Sequence, residues 1–163
     1  MEYYPTLITL HIIFAGIWLV NFFAHFILKK LISQNKQKTG EKKLISLYLT
    51  FTNFLGMIGS VGILLTGILL TAMNPGYGFF EMTANHWLVS KQIIMIVILL
   101  VIFTAVIPKA KKLRAALGED LESSAQISAQ GYEYLNKLYK FSTIINSLVL
   151  LNFLFAITHR FIG

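Results

Sequence analysis

The chain contains no cysteine, which excludes disulfides, iron–sulfur clusters and thiolate metal sites. Charge is scarce: charged side chains make up 13% of its 163 residues, against roughly 25% in an ordinary soluble domain. Only seven residues are acidic, and none lies inside an apolar segment. A cation within those segments therefore has no local carboxylate to neutralise it. The stretch from Asn74 to Asn85 has neither lysine nor arginine, although the chain as a whole carries a formal charge of +7. Long low-complexity tracts and internal repeats are also missing, so the sequence reads as a single domain over residues 1–163.

What remains is apolar. Hydrophobic residues make up 56% of the chain and the mean hydropathy is +0.68, values that fit an integral membrane protein. Four segments are long enough to cross ~30 Å of hydrocarbon: about 5–32, 44–73, 84–108 with an extension to about 117, and 134–161. Because backbone groups must be satisfied inside lipid, the expected fold is all-α, a four-transmembrane-helix bundle. The N-terminus lacks a basic region and a small-residue cleavage site, so the first helix is expected to be retained. Lys29, Lys30, Lys36, Lys38, Lys42 and Lys43 surround the first loop, and Lys109, Lys111, Lys112 and Arg114 the third. The positive-inside rule then predicts an N-out/C-out protein of the bacterial inner membrane. Topology accounts for the basic charge, which makes a nucleic-acid partner unnecessary.

The loops differ in character. Residues 34–41 read as a solvated turn, and Asn74-Pro75-Gly76-Tyr77-Gly78 as a strong turn. Tyr3, Tyr4, Tyr77, Phe79, Phe80 and Trp87 suit an interfacial aromatic belt next to membrane lipid. Beyond Lys109 a helical pattern is expected to stop near Gly118, with Glu119 and Asp120 opening another short helix.

Two imidazoles inside the first apolar segment stand out. His11, Trp18 and His25 fall on one helix face, with the histidines about 21 Å apart, and Asn21 shares that face. Intramembrane ionisable groups ordinarily face the bundle interior and bind cofactors, ions or protons. Under the predicted topology His11, His86 and His159 gather at the outer side, whereas His25 lies towards the cytoplasm. Lys91 lies at the depth of His11 and needs an anionic partner such as a propionate, or a shifted protonation equilibrium.

This set admits one b-type haem, with His11 as axial ligand, His86 as the favoured second ligand ahead of His159, and Lys91 holding a propionate. A second haem at His25 lacks a histidine partner. The alternative is copper, bound by the outer histidines with Met73, Met82 and Glu81 nearby. A third reading is a structural or partner-binding bundle without catalysis. Gly56, Gly59, Ser60, Gly62 and Gly67 line the second segment, where small residues admit either a neighbouring helix or a flat porphyrin face.

The segment Leu-His-Ile-Ile-Phe-Ala-Gly-Ile-Trp-Leu around His11 and Trp18 resembles the opening helix of the copper-resistance protein D superfamily and of HemJ-type protoporphyrinogen oxidases. The Thr66-Gly67 element and the Trp87-Leu88-Val89-Ser90-Lys91 stretch are similar to segments of the same proteins. The resemblance implies a four-helix membrane bundle in which His11 binds b-type haem or metal and Lys91 is functional. It further implies either protoporphyrinogen oxidation or copper movement across the membrane. Electron partners compatible with such a site are a quinone, a porphyrinogen or a respiratory protein.

Overall fold

A computed structural model describes residues 3–83, 85–123 and 126–162, apart from the side chains of 119–123 and 159–162. All regular structure among the described residues is helical: α1 (Tyr4–Gln34), α2 (Glu41–Met73), α3 (His86–Val101), α4 (Ile107–Ser123) and α5 (Ala129–Ile162). A π-helical turn, Ile102–Val106, joins α3 to α4, so that His86–Gly118 forms one long apolar helix. With α1, α2 and α5 it makes four helices long and apolar enough to cross a membrane.

Local sequence explains the helix boundaries. Pro5 sits in the first turn of α1, where its missing N–H costs nothing. Gly40 precedes α2 at φ +100°, a left-handed conformation that a side chain would strain. Pro108 removes one backbone donor within the long third helix. The wider π turn lies directly before it, a common accommodation for an interrupted hydrogen-bond ladder.

The helical stop expected near Gly118 does not occur, since α4 continues to Ser123. A single glycine costs a helix only about 1 kcal/mol, and Leu113, Ala116 and Leu117 are buried on the same helix. Packing outweighs the local signal.

The surface is apolar, and the largely apolar interior holds several polar groups. Phe23, Phe54, Leu100 and Phe103 are exposed, while Asn21, His25, Glu41 and Asn146 are buried. A lipid-facing bundle whose polar groups turn inward has this distribution. α1 packs along α2, and α3 and α4 pack on α5. One core cluster, including Ile32, Ile45, Tyr48, Leu113, Leu135 and Tyr139, fills the lysine-rich end. A second, built on Trp18, Ile98, Ile145 and Val149, lies closer to the chain termini.

The glycines of α2 serve its contact with α1. A Cβ at Gly59 would lie 3.0 Å from that of Trp18, and one at Gly62 would overlap the Phe14 ring. At Gly56 and Gly67 the nearest atoms belong to Asn21 and His11. Of the two partners the sequence admits for this stripe, a helix occupies it.

Candidate functional site

His11 is held by a threonine on the facing helix. Its Nδ1 lies 2.7 Å from Thr66 Oγ1. The same hydroxyl lies 2.6 Å from the carbonyl of Gly62, to which it must donate because a carbonyl only accepts. With its single proton committed there, Thr66 accepts from His11 Nδ1–H. Nε2 therefore carries the free lone pair, and no described residue hydrogen-bonds it. A histidine that donates through one ring nitrogen and leaves the other bare is arranged as metal-binding histidines are.

His11 lines a cavity of about 150 Å³ together with Trp18, Lys91, Met95 and Asn152, among apolar residues from α1, α2, α3 and α5. Lys91 reaches this space from α3, with its Nζ 5.6 Å from the centroid of the Trp87 ring. That aromatic face gives the ammonium partial compensation. No described carboxylate pairs with it. Asn152 of α5 donates from Nδ2 to the Lys91 carbonyl at 3.3 Å. Its Oδ1 is buried without a hydrogen-bond partner, as is Trp18 Nε1. The residues lining the cavity thus include an imidazole, a cation and two side chains with unsatisfied polar atoms, among apolar neighbours.

His25 is fully buried at the lysine-rich end, and both of its ring nitrogens are engaged. Nε2 lies 3.1 Å from Thr143 Oγ1, whose proton goes to the Tyr139 carbonyl at 2.8 Å. By the same logic Nε2 is the donor, and Nδ1 accepts from the Tyr48 hydroxyl at 2.9 Å. The Tyr48, Tyr139 and Phe26 rings surround the imidazole at centroid distances of 5.8, 6.1 and 5.0 Å.

Below His25, Glu41 is buried at the start of α2. Its Oε2 accepts from the Gln37 backbone N–H and from the Tyr132 hydroxyl, each at 2.7 Å. Lys36 Nζ stands 4.8 Å from the centroid of the Tyr132 ring. The second carboxylate oxygen, Oε1, and the Tyr139 hydroxyl are both buried without partners.

The structure brings His11, Trp18 and Lys91 to one cavity. It does not bring His86 there: that residue is exposed on the first turn of α3, where its carbonyl accepts from Ser90 Oγ at 2.9 Å. The side chain of His159 lies outside the described residues. Met95 and Asn152, which the sequence analysis does not single out, complete the polar lining. Met95 follows Lys91 by four positions, so helical spacing carries the signal for it. Asn152 is a lone amide in an apolar segment, and only the fold shows where it points. Among the described residues no group of three His, Asp or Glu side chains is arranged to hold a bare metal ion. No family model, curated protein or solved structure matches the chain.

Proposed function

We propose that this protein is a multi-pass inner-membrane protein that binds a b-type haem, with His11 as its axial ligand. The reading rests chiefly on one observation: His11, whose Nδ1 is held by Thr66 and whose Nε2 bonds no described residue, lines the cavity that Lys91 also lines. The donor set suits haem. Imidazole nitrogen is its common protein ligand, and an ammonium in an apolar wall matches a propionate carboxylate. The thioether of Met95 is a further donor in the same cavity.

The cavity as it stands is too small for a porphyrin. A volume of about 150 Å³ falls below the roughly 300–1,000 Å³ of ordinary small-molecule pockets. α1 makes its extensive contacts with α2 and scarcely meets α3. Haem entry accordingly requires the α1–α2 pair to separate from α3 and α5 along this seam.

When bound, haem would supply one-electron redox chemistry, which fits electron transfer, oxidation of a porphyrinogen, or redox sensing. The chain's own contribution is to hold and orient. Thr66 fixes the imidazole, Lys91 neutralises an acid group, and Trp18 and the surrounding aliphatic side chains exclude water. The lysine-rich loops favour a cytoplasmic position for that end, giving the N-out/C-out arrangement.

Bare copper is the weaker reading, because the Lys91 ammonium beside His11 would repel a metal cation. Titrating the purified protein in detergent with haem b, and separately with copper(I), distinguishes the two. A Soret band that saturates at one haem per chain is expected. Stoichiometric copper retention without a Soret band would replace haem with copper, and retention of neither would leave the bundle as a partner-binding subunit.

A further inference from the structure

We propose that the cavity lined by Lys91 takes the carboxylate end of a single-chain lipid, a fatty acid that enters sideways from the bilayer between α1 and α5. The inference uses the cavity, its open flank and the Lys91 ammonium, and does not rest on the haem reading.

α1 and α5 are joined at the lysine-rich end, where His25 Nε2 lies 3.1 Å from Thr143 Oγ1. Trp18 continues the contact, sharing a core cluster with Ile145 and Val149 of α5. Beyond Trp18, towards the chain termini, both helices contribute walls of the cavity: Ile12 and Ala15 from α1, Phe153 and Ala156 from α5. Ile12 lines the cavity and is nevertheless 64% exposed, so the cavity reaches the outside of the bundle on this flank. Little bulk stands there. A Cβ at Gly16, beside Ala15, would meet nothing within 4 Å. The exposed residues next to the opening, Ile13 of α1 and Leu154 of α5, are apolar. A ligand that arrives by this route comes out of hydrocarbon rather than water.

Lys91 gives this apolar route a charged end. Its ammonium lies against the Trp87 ring and pairs with no described carboxylate, although cations within membrane spans ordinarily pair with an anion or a carbonyl. Size then decides what carries the anion. The volume of about 150 Å³ is below that of pockets that enclose a whole small molecule, so the cavity takes one end of a ligand whose remainder stays in the bilayer. A fatty acid meets both conditions. Its carboxylate is a strong partner for the ammonium, and its single thin chain passes between the two helices into lipid. A phospholipid phosphate is tied to glycerol and two chains at the headgroup level. Lys91 lies deeper than that, about 7.5 Å along α3 from its first residue, His86.

The two tryptophans of the chain report on this site. Trp18 lines the cavity and the Trp87 ring lies against Lys91. Haem-free full-length protein in non-ionic detergent is titrated at neutral pH with dibromostearic acid, brominated midway along its chain, with the methyl ester of that acid, and with a dibrominated phosphatidic acid. Bromine quenches tryptophan fluorescence at contact. The acid is expected to quench saturably at a concentration at least ~10-fold below the ester, the preference that a charge-assisted hydrogen bond supplies. Lys91→Met is expected to bring acid and ester together. Equal quenching by the two in wild type overturns the inference, as does an acid preference that survives in Lys91→Met. Phosphatidic acid quenching at the concentration of the fatty acid overturns the choice of a single-chain lipid. If Lys91→Met does not fold, the wild-type comparison of acid with ester decides. Haem binding is read separately by its Soret band, so protein that prefers the acid and never takes haem upholds this inference and removes the haem reading. Protein that takes haem and shows no acid preference does the reverse.

Discussion

His11 and Thr66 are 55 residues apart in sequence and 2.7 Å apart in space, and the direction of their hydrogen bond is fixed by a third atom, the Gly62 carbonyl. The pairing of His25 with Thr143 and the Tyr139 carbonyl repeats the device on another helix. The two histidines differ in what they do with the remaining nitrogen. His25 closes it onto Tyr48, whereas the second nitrogen of His11, a residue that lines a cavity, bonds no described residue.

Replacing Thr66 with valine keeps the shape and removes the hydroxyl. The tautomer and ring orientation are then free, and loss of such a supporting partner typically weakens metal affinity by roughly 10–100-fold. A haem titration of Thr66→Val is expected to show a loss of that size, while Thr66→Ser stays within a few-fold of wild type.

Lys91→Met separates stability from binding. An ammonium inside a membrane span costs at least ~2.5 kcal/mol on insertion scales. The unliganded variant should therefore unfold in detergent no more readily than wild type. Its haem affinity is expected to fall about 10-fold or more, since a charge-assisted hydrogen bond contributes roughly 1.5–3 kcal/mol. Thermal unfolding and titration of the same preparation check both halves.

The α1–α2 contact is sensitive to one methyl group. Gly62→Ala places a Cβ against the Phe14 ring, and overpacking of this kind costs about 1–3 kcal/mol. Gly16→Ala meets nothing within 4 Å and is expected to raise the unfolding midpoint, by the roughly 1 kcal/mol that alanine gains over glycine inside a helix. Adding Phe14→Ala to Gly62→Ala should recover part of the loss.

Around His25 two phenols should respond in opposite ways to the same substitution. Tyr48→Phe removes the donor to Nδ1 and leaves a buried acceptor unsatisfied, at a cost of about 1–3 kcal/mol. Tyr139→Phe removes a hydroxyl that bonds nothing, so its unfolding midpoint should match or exceed that of wild type. Denaturation of the two variants under identical conditions makes the comparison.

The apolar segments were legible because membrane length and hydropathy act locally, and the interior face of α1 because helical spacing aligns Trp18, Asn21 and His25, all of which are buried. Glu41 was not legible. It reads as one more charge in a solvated loop, and its burial depends on Tyr132, 91 residues further on. Thr66 shows the same limit: threonine commonly returns its hydroxyl to a carbonyl one turn back, and only the packing of α1 on α2 turns that habit into a tautomer lock. The partner of Lys91 stood closer at hand. Trp87 precedes it by four residues, a helical neighbour, yet its aromatic ring also suited the interfacial belt. The π turn before Pro108 has no pattern of its own, since it arises from how one long helix accommodates a missing donor.

The most direct test of the haem site is imidazole rescue of His11→Ala. Wild-type protein supplied with haem b should show a Soret band, His11→Ala should lose it, and free imidazole added to that variant should restore it, while His25→Ala keeps the band throughout. A His11→Ala protein whose spectrum matches wild type without added imidazole would contradict the assignment of His11 as the axial ligand.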